Sequence, residues 1–195
     1  MRASFPLFNT PIDLSHHLWE RLLEEGSEVV DATCGNGKDS LFLAKLLESK
    51  QGKLYCIDIQ DKALIHTKEL LQKEANSFLS AVSFFHQSHE TFPEEIKPDS
   101  LKLIVFNLGY LPGADKSKTT QVHSTLQSVK TALTLLKDGG VLSITCYPGH
   151  EEGKKEEKAL LNLLSTLNPS LWCFSAFYWP NRKDSPSLFL VQKKG

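Results

Sequence analysis

No apolar run in this 195-residue chain approaches the roughly 20 residues that a bilayer-spanning helix needs. The opening stretch, Met1 to Leu14, lacks the continuous apolar core of an export signal. These two absences predict a soluble, cytoplasmic protein with no membrane partner. Net charge is nearly absent too, at −1. That argues against a surface coated in positive charge for bulk nucleic-acid binding, while leaving room for a local basic site. The four cysteines, at 34, 56, 146 and 173, form no C-x-x-C pair. Cys56, Cys146 and Cys173 lie in apolar, strand-like runs, which predicts buried, reduced thiols rather than disulfides or zinc. No ligand cluster with metal spacing occurs, so no metal is expected. Repeats, low-complexity stretches and linkers are missing, which leaves one domain over residues 1–195.

What is present is an alternation of strand and helix patterns. A first helix is predicted over 12–24, with Asp13 or Ser15 as N-cap candidates and Gly26 past its end. Strands follow at 28–33, 53–59, 81–85, 101–106 and 141–146, with helical spacing at 37–49, 61–75 and 156–167. A further helix carries Val122, Leu126, Val129, Leu133 and Leu136 on one stripe, and Asp138-Gly139-Gly140 makes a turn before the fifth strand. Two last strands, 172–178 and 187–192, are joined by a loop without a helix, so one of them should run antiparallel. The pattern predicts an α/β fold: seven strands in a mostly parallel sheet with helices on both faces.

The run Val29-Val30-Asp31-Ala32-Thr33-Cys34-Gly35-Asn36-Gly37-Lys38-Asp39 reads as a buried strand, a tight glycine turn and the start of a helix. A helix N-terminus offers free N–H groups and a positive dipole end, and glycines let a ligand approach the backbone. This is a nucleotide-cofactor cradle. The third glycine of the dinucleotide pattern G-x-G-x-x-G is missing, which weakens a nicotinamide reading, and no Walker A motif occurs. Asp31 sits on the first strand, and Asp58 ends the second, where a carboxylate can accept from both hydroxyls of a ribose. This set of acids and glycines resembles the class I S-adenosylmethionine-dependent methyltransferases of Rossmann-like fold. A nicotinamide enzyme and a non-catalytic cofactor- or RNA-binding module are the competing readings.

At the end of the fourth strand stands Phe106-Asn107-Leu108-Gly109-Tyr110-Leu111-Pro112. It is loosely similar to the Asn/Asp-Pro-Pro-Tyr motif of amino-directed nucleic-acid methyltransferases, with Leu-Gly in place of Pro-Pro. An Asn carbonyl there can accept an N–H from a substrate amine, and a nearby aromatic can stack on a base. Ser15-His16, Ser88-His89-Glu90, Asp115-Lys116 with Thr119-Thr120, and Tyr147-Pro148-Gly149-His150 complete a chain-wide order of motifs. Together they resemble a bacterial family long labelled rRNA methylases, members of which are assigned as tRNA 5-(aminomethyl)-2-thiouridine methyltransferases. Glu151 stands where that family tends to have proline, and Lys38 and Ser40 where it usually has His and Thr.

The resemblance implies methyl transfer from S-adenosylmethionine to the aminomethyl nitrogen of the wobble uridine, with a tRNA anticodon loop as partner. Methylation of rRNA or of a small amine is the alternative, and a homodimer is left open. Asn107 and Tyr110 would present the amine, with His150 as helper. The cofactor would meet His16, Asp31, Thr33, Gly35, Asn36, Gly37, Asp39, Asp58, Gln60, Ser88, His89 and Asn107. Tyr110, Asp115, Lys116, Tyr147, Asn181 and Arg182 would meet the substrate. Each has a plainer reading as a turn, helix-surface or solvated residue, and His17, His66, His86 and His123 are given only that reading.

Overall fold

A computed structural model of the chain describes residues 5–109 and 122–195. Tyr110, Asp115 and Lys116, with Thr119 and Thr120, lie outside the described residues. The elements run α1 (Pro11–Leu22), β1 (Glu28–Asp31), α2 (Lys38–Glu48), β2 (Lys53–Asp58), α3 (Asp61–Glu74), a 3-10 turn (Asn76–Ala81), β3 (Val82–His86), β4 (Leu101–Leu108), α4 (Val122–Leu135), β5 (Leu136–Cys146), α5 (Glu151–Leu164), β6 (Trp172–Phe177) and β7 (Ser187–Lys193).

The strands form one seven-stranded sheet in the order β3-β2-β1-β4-β5-β7-β6. β7 is antiparallel to both its neighbours, and the other pairings are parallel. Strand alternation sorts the core into two layers. Val30, Ile57, Ile104, Phe106 and Leu142 face α4 and α5, while Val29, Cys56, Leu103, Val105 and Leu188 face α1, α2 and α3. Central strands buried on both faces are the reason they read as continuous apolar runs.

The sequence expectation for the sheet holds, with local differences that have physical causes. Thr10, not Asp13 or Ser15, caps α1: its side chain accepts from the Asp13 N–H, the Asp13 carboxylate accepts from the Thr10 N–H, and Pro11 opens the helix. α5 begins five residues earlier than its apolar period suggests: the charged run Glu151–Lys158 forms its first half, exposed at Glu151, Glu152, Lys154, Lys155 and Lys158 and buried at Gly153 and Glu156. On α4 the buried line is Thr125, Ser128, Val129, Ala132 and Leu135, and Leu136 already belongs to β5. Cys173 is exposed, since β6 is an edge strand, whereas Cys34, Cys56 and Cys146 are buried. Burial pushes the Cys34 and Cys146 thiols well above their ordinary range, which keeps them inert.

The chain leaves β1 toward β2 on one side and leaves β4 toward β5 on the other. A crevice at the carboxyl ends of β1 and β4 is the place where an open α/β sheet binds ligands.

Candidate active site

The floor of that crevice is set by register. Asp31 pairs with Val105, so the loop after β1 and the last residues of β4 lie side by side. The Ala32 N–H donates to the Val105 carbonyl at 2.9 Å, and the Asn107 N–H donates to the Thr33 hydroxyl at 2.7 Å. Thr33 therefore serves as a spacer between the two strands' ends.

The glycine turn is real and is held from β2. Gly35 and Gly37 both have left-handed backbone angles, φ +52° and +70°. Asp58 accepts the Gly35 N–H on one carboxylate oxygen and the Gln60 N–H on the other, each at 2.9 Å. Each oxygen keeps a second lone pair, so the carboxylate can still accept two hydroxyls of a ribose. Gly37 has a different task from Gly35. A Cβ there would come within 2.9 Å of the Thr67 Cα, so this glycine lets α3 pack against the start of α2. Asn36 is exposed beside the turn.

Asp31 is fully buried. It accepts from the Ser40 hydroxyl at 2.6 Å and from the Thr33 N–H at 3.3 Å. Burial first, and the neighbouring charge of Asp39 second, push its carboxyl up to about 7. An acid so enclosed reaches a ligand only through an intermediary such as water.

Asp39, in the first turn of α2, joins two other predicted residues. One oxygen is 2.8 Å from His16 Nε2, and the other accepts from Asn107 Nδ2 at 2.8 Å. The His16 ring stacks on Phe42, 3.7 Å between centroids, and leans on Trp19. Asn107 Oδ1 is buried and has no hydrogen-bond partner among the described residues. A buried acceptor left unsatisfied costs about 1–3 kcal/mol, so such an atom marks a place for a ligand donor.

Two more groups border the crevice. His89 follows β3 with a buried Nε2 that also lacks a partner. Burial holds its pKa below the usual imidazole value, so the ring is neutral near pH 7 and one nitrogen is an acceptor. Its ring stands edge-on to Phe106, and its carbonyl accepts from the Ser128 hydroxyl at 2.5 Å. Ser88 accepts the Glu90 N–H in the same turn. Tyr147, after β5, packs 3.4 Å from where a Gly109 side chain would begin. Desolvation, then the charge of Asp39, raise its phenol to about 12.

The structure gives His150 a task that its sequence context did not signal. Its Nδ1 accepts the Gly153 N–H at 3.0 Å and so caps α5. Arg182, in the loop between β6 and β7, donates to the Asn9 carbonyl and lies over the Phe5 ring. In the same clasp Phe8 meets Trp179 edge-on. Asn181 is exposed beside it. The clasped N-terminal segment borders an open crevice of about 410 Å³ that also touches His16 and Phe42. The clasp went unforeseen, although the aromatics Phe5 and Phe8 near the N-terminus were the available signal. Among the described residues no cluster of His, Cys, Asp or Glu is placed to hold a metal, and no helix is long and apolar enough to cross a membrane.

Comparison with known proteins gives the chain a family. Residues 54–193 match the family model described as "Putative rRNA methylase". The chain belongs to this rRNA methylase family. A solved "putative rRNA-methylase" from Clostridium thermocellum is 31% identical, with a TM-score of 0.88 over 95% of this chain and 98% of that one. A "putative methyltransferase" from Streptococcus mutans, solved in complex with SAH, is 34% identical, with a TM-score of 0.83 over 95% and 99% of the two chains. The curated tRNA (mnm(5)s(2)U34)-methyltransferase, chloroplastic, of Arabidopsis thaliana is 34% identical over 188 residues, which is 93% of this chain and 69% of that protein. As a member of the rRNA methylase family, the chain is a methyltransferase of Rossmann-like fold.

The residues present fit S-adenosylmethionine. Asp58 offers two free lone pairs for a ribose, His89 Nε2 is an orphaned atom suited to an adenine edge, and the left-handed Gly35 opens the backbone between them.

Proposed function

We propose that this protein transfers a methyl group from S-adenosylmethionine to the aminomethyl nitrogen of 5-aminomethyl-(2-thio)uridine at the wobble position of tRNA. One observation carries the reading of this site as one that receives a hydrogen-bond donor on the methyl acceptor. Asn107 turns its amide NH₂ toward Asp39 and leaves Oδ1 as a buried, unpaired acceptor at the end of β4. A substrate N–H satisfies that atom; a hydroxyl would satisfy it too, so the preference for nitrogen comes from the likeness to the Arabidopsis methylaminomethyl-uridine enzyme. The likeness to the Arabidopsis tRNA enzyme supports the wobble uridine as the source of that N–H.

S-adenosylmethionine supplies a methyl group made electrophilic by its sulfonium. Asp58 holds the ribose, and His89 meets the adenine edge. Asp31 and His16 stand toward the methionine end. Asn107 accepts one N–H of the neutral amine, which directs the nitrogen lone pair along the line of displacement. Bound S-adenosylmethionine would give its methyl to that nitrogen and leave as S-adenosylhomocysteine, with the surplus amine proton passing to solvent. Positioning is the main source of acceleration in such a displacement. Tyr147 is suited to stack on the base, and His150 helps to place the substrate from the start of α5; the resemblance adds Tyr110, Asp115, Lys116 and Asn181 as substrate contacts. An anticodon loop already presents its bases unpaired, so a compact enzyme of nearly neutral charge suffices.

The test is incubation with methyl-labelled cofactor and with tRNA or rRNA from a strain lacking the modification, followed by nucleoside mass spectrometry. Label in 5-methylaminomethyl-2-thiouridine is expected. Label confined to rRNA would overturn the tRNA assignment, and label in neither nucleic acid would overturn both nucleic-acid readings.

A further inference from the structure

We propose that Asp39 is a positioning residue: it fixes the Asn107 amide in the one orientation that presents Oδ1 to the substrate nitrogen, and it ties that amide through His16 to α1. The inference rests on the assignment of Asn107 as the amine acceptor. It assigns Asp39 to the acceptor side of the reaction, whereas the sequence pattern places it among the cofactor contacts.

An Asn side chain has two nearly isosteric orientations, with oxygen and nitrogen exchanged. A carboxylate breaks that degeneracy because it accepts and does not donate. With 2.8 Å between Asp39 and Asn107 Nδ2, the flipped amide would set oxygen against oxygen. Nδ2 therefore faces Asp39, and Oδ1 faces away, buried and unpaired among the described residues. The Asn107 backbone is pinned separately, by its N–H to Thr33, so the side chain turns about a fixed base.

The second carboxylate oxygen makes the same demand of His16. At 2.8 Å, Nε2 must carry the proton, which fixes the ring tautomer. The His16 ring is in turn held flat against Phe42, one helical turn after Asp39 on α2. α1, α2 and β4 thus meet at one buried carboxylate. The Asp39 side chain is 11% exposed and that of His16 is 23% exposed, so solvent screens the two bonds only in part.

Asp39→Asn separates the possible roles with little change in shape. An amide at this position offers one acceptor and one donor, so Asn107 is held in either orientation and the productive one is no longer enforced. The expected result is a fall in kcat of about tenfold or more, with KM for S-adenosylmethionine and Kd for S-adenosylhomocysteine within about twofold of wild type. A loss of S-adenosylhomocysteine affinity with kcat preserved would make Asp39 a cofactor ligand and overturn the proposal. Unchanged kinetics would overturn it as well.

The side-chain amide of Asn107 gives a readout independent of turnover. Its ¹H–¹⁵N pair, identified by its disappearance in Asn107→Ala, is expected to be shifted downfield and protected from exchange in the wild type. In Asp39→Asn and Asp39→Ala it should lose both properties, and the His16 ¹⁵N shifts should lose the single-tautomer pattern. An amide signal indifferent to both substitutions would overturn the proposal even where tRNA methylation is confirmed. A wild-type protein that methylates no nucleic acid, yet shows the Asp39-dependent amide, would instead remove the substrate assignment and leave the geometry standing.

Discussion

Asp58 at the end of β2 accepts the backbone N–H of Gly35 across 2.9 Å, so the cofactor turn is held in shape by the acid proposed to grip the ribose. One substitution should therefore damage two things. Asp58→Ala leaves the N–H groups of Gly35 and Gln60 without their acceptor and removes the hydroxyl contacts. Hydrogen bonds to a charged group are worth about 1.5–3 kcal/mol each. Calorimetric affinity for S-adenosylhomocysteine is expected to fall by at least about 100-fold, with a measurable drop in Tm. An affinity within threefold of wild type would remove Asp58 from the cofactor site.

Asn107→Ala should leave cofactor binding intact and lower single-turnover methyl transfer by about 100-fold, the cost typical of a misplaced reactant. Full transfer by this variant would eliminate the acceptor assignment on which the nitrogen chemistry stands.

Asp31 gives the fold a pH signature. Its carboxyl is raised from 3.8 to about 7 in the folded chain, so between those values the folded state binds a proton that the unfolded state has released. The stabilisation is complete below about pH 4 and is lost as pH rises through about 7. One pKa unit is worth about 1.4 kcal/mol, which sets a ceiling of about 4 kcal/mol on the effect. Urea denaturation of wild type and Asp31→Asn at steps from pH 5 to pH 8 should converge at neither end: the wild type loses stability relative to the variant as pH rises. Parallel curves would show that Asp31 titrates like an ordinary surface acid.

Gly37→Ala tests the close approach of α2 and α3. The new methyl meets the Thr67 backbone at 2.9 Å and sits on a residue with φ +70°. Left-handed geometry alone costs about 1–2 kcal/mol. A loss of about 2–4 kcal/mol in chemical denaturation is expected once overpacking is added. A shift under 1 kcal/mol would mean that α3 relaxes away freely.

Arg182→Ala releases the clasp between the β6–β7 loop and residues 5–9. Limited proteolysis near the N-terminus should quicken several-fold while Tm moves by no more than a few degrees, because a half-buried contact on a terminal segment opens locally rather than with the whole fold. Unaltered cleavage would show that Phe8 and Trp179 hold the segment without help.

Legibility in the sequence followed distance along the chain. The Asp31 strand, the glycine turn and Asp58 were readable because the turn is local and one βαβ unit brings β2 alongside. The Thr10-Pro11-x-Asp13 cap was equally local and simply outranked by the apolar period. The Asp39–Asn107 bond joins residues 68 apart, and Arg182 reaches Asn9 across 173. Those contacts depend on which strands become neighbours and on how the last loop folds back, and no periodicity encodes either. Cys173 reads as a core thiol because its strand is apolar. Only the strand order shows that it sits at an edge. His150 as an N-cap falls outside the usual Ser, Thr, Asp and Asn set, so composition gave no hint.

The switch in winding order between the parallel neighbours β1 and β4 separates two kinds of heritable change. On the proposed function, the residues that recognise the methyl donor hang from α1, β1, β2 and β3, and those that recognise the acceptor hang from β4 onward. A lineage can therefore exchange the loops after β4 and β5 and acquire a new methyl acceptor without rebuilding its grip on the donor. Asp39 is the exception, anchored on the donor half and serving the acceptor half. It is the position where such an exchange would be most tightly constrained.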